Sequence, residues 1–438
     1  MVNSLSAGLE SSESLQELDL TFDSCSSVVV SPLAGGLGRN KSIQRLGLYL
    51  IRDTDPSILI QGLKRNRSLL SISLTTLQRS RQELSIDVCE AIADIIQSGD
   101  AKINSLEFCH VAARGLATVF SAMKRRKMKE IVLDRITLEA EDADALIEWI
   151  GTNSALEDLH IKTCELPDRF SGQLARAISS NTSLRVLNLQ GDLINDGSVQ
   201  LISIGLCNNT TLQELRLSNY GIGLVGVGSV SCALTTNTIL RKLSLFASNM
   251  RDIGALALIG ALHNNSSLRC LDLCRCEIGR NGLRSFASVS RNHPTLQRLI
   301  WTGNRTDTDS IRHVAAAAND NPNLKVLHMS FENSASTEKL ELLKEEILST
   351  NLYIESLGLT GENLIKENSL EQFNRGRGRR EVLLDEKFSS PLWPWVLERS
   401  GTILYYSAYA DGPNTQEPQL SVVYSLLPKA SFLFSRAS

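Results

Sequence analysis

The sequence has no apolar run of the ~18 residues that a membrane-spanning helix requires. Its start, MVNSLSAGLESSESLQEL, has neither a basic opening nor a continuous apolar stretch, so no secretory signal is expected. Neither sign of charge dominates: 45 Lys and Arg against 48 Asp and Glu leave a net charge of -3. That balance gives no general attraction to nucleic acid or to an anionic membrane. The nine cysteines are an odd, scattered set rather than a disulfide framework. In a chain with no export signal they read as reduced and mostly buried thiols, which points to the cytoplasm, with or without the nucleus. A composition of 42% hydrophobic and 21% charged residues suits a soluble folded protein.

What the sequence does have is a seven-position stretch with leucine at the first, fourth and sixth places, clearest as Leu184-Arg185-Val186-Leu187-Asn188-Leu189-Gln190. It opens at Leu15, Ile43, Leu69, Ile103, Met128, Leu156, Leu184, Leu212, Leu240, Leu268, Leu296, Leu324 and Ile354. From Met128 to Leu324 the interval is 28 residues every time. A fixed period of this kind means a solenoid, which lengthens without enlarging any single core. Within each unit the fourth and sixth positions alternate with outward ones, giving a short strand with one buried face. An apolar-periodic segment such as 252–262 then reads as a helix. An Asn followed by Ser or Thr turns the chain into the next strand, and Asn suits a helix end because it tolerates the left-handed conformation.

Repeats two to four are irregular. The 34-residue interval from Leu69 to Ile103 contains Gln78 to Glu83, an insertion expected to lengthen a loop. At the start no polar cap is evident. Truncation, a helical cap from residues 1–12 and a covering partner are all consistent with that, and without such a partner the chain is expected to be monomeric. Residues 366–438 break the period and carry Trp393, Trp395 and Tyr424. Disordered tails are poor in aromatics, so this segment is expected to fold, either as a cap for the open end or as a docking segment for a second protein.

The 28-residue strand–helix unit resembles the ribonuclease-inhibitor type of leucine-rich repeat over about residues 1–365. The resemblance implies an α/β solenoid of about 13 repeats, a horseshoe with parallel strands on its concave face and helices on its convex face. The ninth position, often Asn or Cys in that family, is Cys164, Asp192, Tyr220, Ser248, Cys276 and Asn304 in the regular half, a patchy series.

No catalytic or metal centre can be assembled from these residues, and no cofactor is expected. Cys270 and Cys274 are four residues apart on one strand, ~13 Å at an extended rise. Zinc needs both sulfurs within ~2.3 Å of itself. His160 and His328 are six repeats apart, ~29 Å at strand spacing. The glycines of Gly221-Ile222-Gly223-Leu224-Val225-Gly226 imitate a phosphate loop, but they fall at the turn and helix start of a repeat, without the Rossmann context that would make it one. Eight Asn-x-Ser/Thr sequons occur, seven of them generated by the repeat's own turn. The basic run Lys124 to Lys129 reads either as a helix end or as an import patch.

On the strand face, positions three, five and seven point outward. They supply Asp158, His160, Lys162, Glu214, Arg216, Lys242, Phe246, Asp272, Arg298 and Ile300, a surface of mixed charge with two apolar residues that the repeat does not require. A nucleic-acid site would show a basic stripe instead. The expectation is a non-enzymatic scaffold that binds a partner protein on the concave face, with no nucleic-acid or membrane role. The resemblance also admits a regulator of a small GTPase, such as a GTPase-activating protein, although the acidic tail of that group is missing. A third possibility is an adaptor that recruits targets through residues 390–428.

Overall fold

The computed structural model describes residues 2–361, apart from 23–26, 51–54, 77–81, 99–101, 114, 125, 192–193, 332–336 and 351–352. Strands and helices alternate. The strands are β1 Glu17–Phe22, β2 Arg45–Leu50, β3 Ser71–Thr76, β4 Gln82–Leu84, β5 Ser105–Cys109, β6 Val111–Ala113, β7 Glu130–Asp134 and β8 Asp158–Lys162. They continue with β9 Val186–Gln190, β10 Glu214–Ser218, β11 Lys242–Ser244, β12 Cys270–Asp272, β13 Arg298–Trp301, β14 Val326–Phe331 and β15 Ser356–Gly361. The helices are α1 Val2–Ser11, α2 Ser27–Arg39, α3 Ser57–Gly62, α4 Ile86–Gln97, α5 Leu116–Met123, α6 Ala140–Thr152 and α7 Phe170–Ser180. After them come α8 Asp196–Asn208, α9 Leu224–Thr236, α10 Arg251–Leu262, α11 Arg280–Ser285, α12 Ala287–Asn292, α13 Thr308–Ala318 and α14 Thr337–Thr350.

Thirteen strands form one sheet in sequence order, the α/β solenoid expected from the period. From β7 to β14 each strand pairs in parallel with a register offset of 28, as in Glu214↔Lys242 and Cys270↔Arg298. The early irregular intervals are absorbed as changed offsets, Arg45↔Ser71 and Ser71↔Ser105. The inserted segment does more than lengthen a loop, because its end forms β4, which pairs in parallel with β6 in a second, two-stranded sheet. Burying one edge of the insertion in a ladder satisfies backbone groups that a loop would leave to water.

The leucines at positions one, four and six make the core: Leu184, Leu187, Leu212, Leu215 and Leu217 are at most 1% exposed. Trp301 is fully buried, edge-on to Phe286 with ring centroids 4.7 Å apart. At the first strand Leu15, Leu18 and Leu20 are only half-buried. Residues 2–11 form a helix, α1, whose Ser6 hydroxyl donates to the Pro32 carbonyl at 2.6 Å.

The turn asparagines work differently from the expectation. Asn181, Asn209 and Asn237 are extended, not left-handed, with φ between -71 and -79°. Their role is carried by the side chain. The Asn237 amide donates to the carbonyls of Leu206 (2.9 Å) and Asn209 (3.2 Å) in the preceding repeat. Its carbonyl oxygen accepts from the backbone N–H groups of Ile239 (2.9 Å) and Leu240 (2.8 Å). Asn40, Asn66, Asn181, Asn209 and Asn265 repeat the pattern. Each amide closes its own turn and ties it to the turn before, so buried peptide groups that no helix or strand serves are satisfied. These buried amides, with Asn304, account for six of the eight sequons, and none of the six could carry a glycan in the folded chain.

From Asn153 to Asn321 one turn departs: His293 stands where the others have Asn, and its Nδ1 accepts from Thr295 (3.3 Å) and Leu296 (3.0 Å), which places its proton on Nε2. That Nε2 is buried with no partner. Burial, with the nearby His263, pushes the His293 pKa down to about 4. The folded value lies below the ordinary one of 6.5, so the unfolded chain binds the extra proton first and stability is lost as pH falls from 6.5 towards 4. In urea unfolding, Asn237→Ala is expected to cost about 2–4 kcal/mol, because it strands buried peptide groups. His293→Asn should instead raise stability by about 1–2 kcal/mol and flatten the loss between pH 6.5 and 4. Equal midpoints for His293→Asn and the natural chain at both pH values would contradict this reading.

Candidate functional site on the strand face

The alternation of the strands sets the outward residues. On β8 the leucine and isoleucine are buried, while Asp158, His160 and Lys162 are half-exposed. β10 repeats the pattern with Glu214, Arg216 and Ser218. The strand order β8-β9-β10-β11-β12-β13 puts Asp158 and Arg298 five strands apart, ~24 Å. The ten expected face residues therefore form a broad surface rather than a pocket.

Some of them meet. Glu214 lies between Arg216 and Lys242, with the Lys242 ammonium at 3.0 Å. Burial alone would raise the Glu214 pKa, but the two cations hold it below the ordinary carboxylate range. The Asp272 carboxylate is engaged by its own neighbours, accepting from the Ser244 hydroxyl at 3.0 Å and the Cys274 N–H at 3.1 Å. His160 Nδ1 and the Asn188 amide are 3.2 Å apart, and Asn188 is buried although it points to the face. Burial, aided by Lys162, lowers the His160 pKa. In the acidic part of the face, burial and then Glu130 and Glu157 raise that of Asp158.

Other expected residues stand apart. Arg298 is exposed and makes no ion pair among the described residues; Ile300, beside it, is half-exposed. Phe246 is 38% exposed, and the Arg275 guanidinium stacks over its ring at 5.9 Å. Arg275 was not among the expected residues. It sits at the eighth position, where the backbone turns left-handed (φ 54°) and redirects a side chain that strand alternation alone would misplace. Gly303 follows one repeat later with φ 73°, and a Cβ there would come within 2.6 Å of Arg275 Cγ. The edge where the strands begin holds a second unforeseen feature, a cleft of about 650 Å³ lined by Glu157, Arg185, Gln213, Arg241 and Arg269 among others. Trp393, Trp395 and Tyr424 lie outside the described residues, and so does the whole segment 366–438.

The chemistry-like motifs resolve into structure. Cys276 donates to the Leu245 carbonyl at 2.9 Å, and Cys274 lies 2.7 Å from the Thr302 hydroxyl. Burial pushes both thiols up to about 12, so neither is a thiolate near neutrality. The glycine pattern already has its anion: the Asp196 carboxylate takes the N–H groups of Gly223 (2.7 Å) and Gly226 (2.8 Å). A Cβ at Gly226 would be 2.7 Å from that oxygen, which explains the glycine. In the basic run, Arg126 donates to the carbonyl of Ile96 at 2.6 Å and Lys124 pairs with Glu148 at 2.7 Å.

In the comparisons, the model described as "Leucine Rich repeat" matches residues 264–287. A solved structure titled "Crystal structure of Rad7 and Elc1 complex in yeast" is similar at 15% identity, with a TM-score of 0.40, over 87% of this chain and 92% of that one. No curated protein matches the chain. Among the described residues no helix is long and apolar enough to cross a membrane.

Thiol burial gives a direct check. Cys207 and Cys232 are the exposed cysteines among the described residues, whereas Cys89, Cys164, Cys270 and Cys276 are buried. Alkylation of the native chain followed by peptide mapping should label Cys207 and Cys232 within minutes and the buried four only after denaturation. Rapid native labelling of Cys276 would mean that the ninth-position turns are open.

Proposed function

We propose that this chain, a leucine-rich-repeat protein, acts as a non-catalytic scaffold that binds a partner protein across its strand face. The observation that carries the reading is the pairing of an exposed aromatic, Phe246 under Arg275, with an exposed and unpaired Arg298 on the same face. Aromatic and arginine side chains dominate binding energy at protein interfaces, because they bury large area at little ordering cost. A face assembled from successive short strands is already ordered before the partner arrives, which reduces what association must overcome.

The charges on that face fit selectivity rather than bulk attraction. Glu214, Arg216 and Lys242 satisfy one another, so a partner gains little from any of them alone but must match their order. The non-catalytic reading is supported by the thiols raised by burial and by His160 and His328 standing six strands apart, ~29 Å.

Phe246→Ala combined with Arg298→Ala should weaken partner binding at least tenfold, about 1.4 kcal/mol, and leave the urea midpoint unchanged, since both side chains project from the face. Quantitative co-precipitation of the full chain against this double variant measures it. An unchanged set of bound proteins would remove the strand face from the account, and a partner whose GTP hydrolysis the chain accelerates would replace scaffolding with GTPase regulation.

A further inference from the structure

We propose that the outward face of α8, α9 and α10 is a second docking surface, and that it takes an acidic amphipathic helix of a partner protein. It rests on the scaffold reading only in taking a protein as the occupant; the face lies on the helices, away from Phe246 and Arg298.

Of the exposed large apolar side chains among the described residues, six lie on these three consecutive helices: Leu201 and Ile204, Leu224 and Val225, Ile253 and Leu256, all between 41 and 65% exposed. Single exposed apolar residues are ordinary, but a run across adjacent helices makes a contiguous patch of the kind that marks interaction sites. The inward sides of these helices are already committed, with Val199, Ile202, Val227, Val230, Ala255 and Leu258 packed beneath the sheet's core. The outward residues are therefore not needed for folding. Between the bulky side chains stand Gly228 and Gly260, where an added Cβ would meet no atom within 4 Å. Ridges alternating with shallow hollows suit the spaced apolar side chains of a bound helix.

Charge identifies the occupant. The only acids on the six helices α7 to α12 are Asp196 and Asp252, and both are spent accepting N–H groups of the next helix: Gly223 and Gly226 for the first, Gly279 for the second. The same helices carry Arg176, Arg251, Arg280, Arg284 and Arg291, of which Arg176 and Arg284 are exposed with no ion pair among the described residues. α6, on one side, is acidic by contrast, with Glu141, Asp144 and Glu148. An apolar patch rimmed by arginine and free of available carboxylate complements apolar residues flanked by Asp or Glu. A second copy of this chain fits poorly, since twofold packing would set like-charged rims against each other. A lipid surface fits poorly as well: α8, α9 and α10 contain neither lysine nor an aromatic residue, the side chains that anchor surface-bound proteins at a bilayer.

The test uses the immobilised full chain and a display library of helical peptides. Selected sequences should be enriched in Asp and Glu around apolar residues spaced three and four apart. A fluorescently labelled selected peptide should bind at least tenfold more weakly to Ile253→Glu with Leu256→Glu, and three- to tenfold more weakly to Arg176→Glu with Arg284→Glu. Phe246→Ala with Arg298→Ala should leave that binding unchanged, which separates this surface from the strand face. The proposal is overturned by any of four results. These are no selected peptides, selected peptides without acidic enrichment, peptide binding indifferent to the Ile253 and Leu256 changes, or those changes abolishing self-association or the binding of phosphatidylserine vesicles.

Discussion

The hydrogen bonds of a side-chain amide, present at most of the helix-to-strand turns, hold the repeats in register. A solenoid has no single core to set the position of its units, so each unit must be fixed against its neighbour by local contacts. Leucines supply the burial, but apolar packing is non-directional and would tolerate some sliding. The turn asparagine removes that freedom. Its carbonyl oxygen holds the start of its own strand and its amide holds the carbonyls of the previous turn, as Asn209 does with Leu212 and Ile178. With both ends fixed, the 28-residue offset recurs strand after strand, and the outward positions fall into columns.

Those columns divide into parts already occupied and parts left free. Neighbouring groups on the strand face consume much of its polar capacity: Glu214 with its two cations, Asp272 with Ser244, Asn188 with His160. What remains includes Phe246 with Arg275, Arg298 and the half-exposed Ile300. On the helix side, the first-turn aspartates serve the neighbouring helix, which leaves a three-helix stretch with apolar knobs and no free acid. The same repeat that orders the chain thus produces two surfaces of different chemistry, one of mixed charge and one apolar with a basic rim.

The architecture was readable because period and alternation are local and redundant; a leucine such as Leu215 is called for by its own neighbours and by every other repeat. The turn asparagine was noticed in the sequence but assigned the wrong work. Its partners are 28 and 31 residues earlier, as Asn237 reaches Asn209 and Leu206, and short-range propensity carries no trace of such contacts. The consequence of His293 standing in place of Asn was hidden for the same reason. For the site, alternation placed Asp158, Glu214 and Arg298 on one face, but it could not say which charges would neutralise each other. Arg275 escaped because a left-handed backbone at the eighth position breaks the alternation. The apolar outer face did leave a signal: α9 carries no charged residue at all, so it lacks the polar side that a solvent-facing helix usually shows.

Native-state hydrogen exchange, read residue by residue, tests the asparagine coupling most directly. The amides of Ile239 and Leu240, held by Asn237, and of Thr211 and Leu212, held by Asn209, should be protected as strongly as those of the strand interiors. Thr295 and Leu296, held by His293, should match them at neutral pH and lose protection first as pH drops below 6.5. Turn amides that exchange like open loops, or a His293 turn no more acid-sensitive than its neighbours, would show that the leucines alone keep the repeats in register.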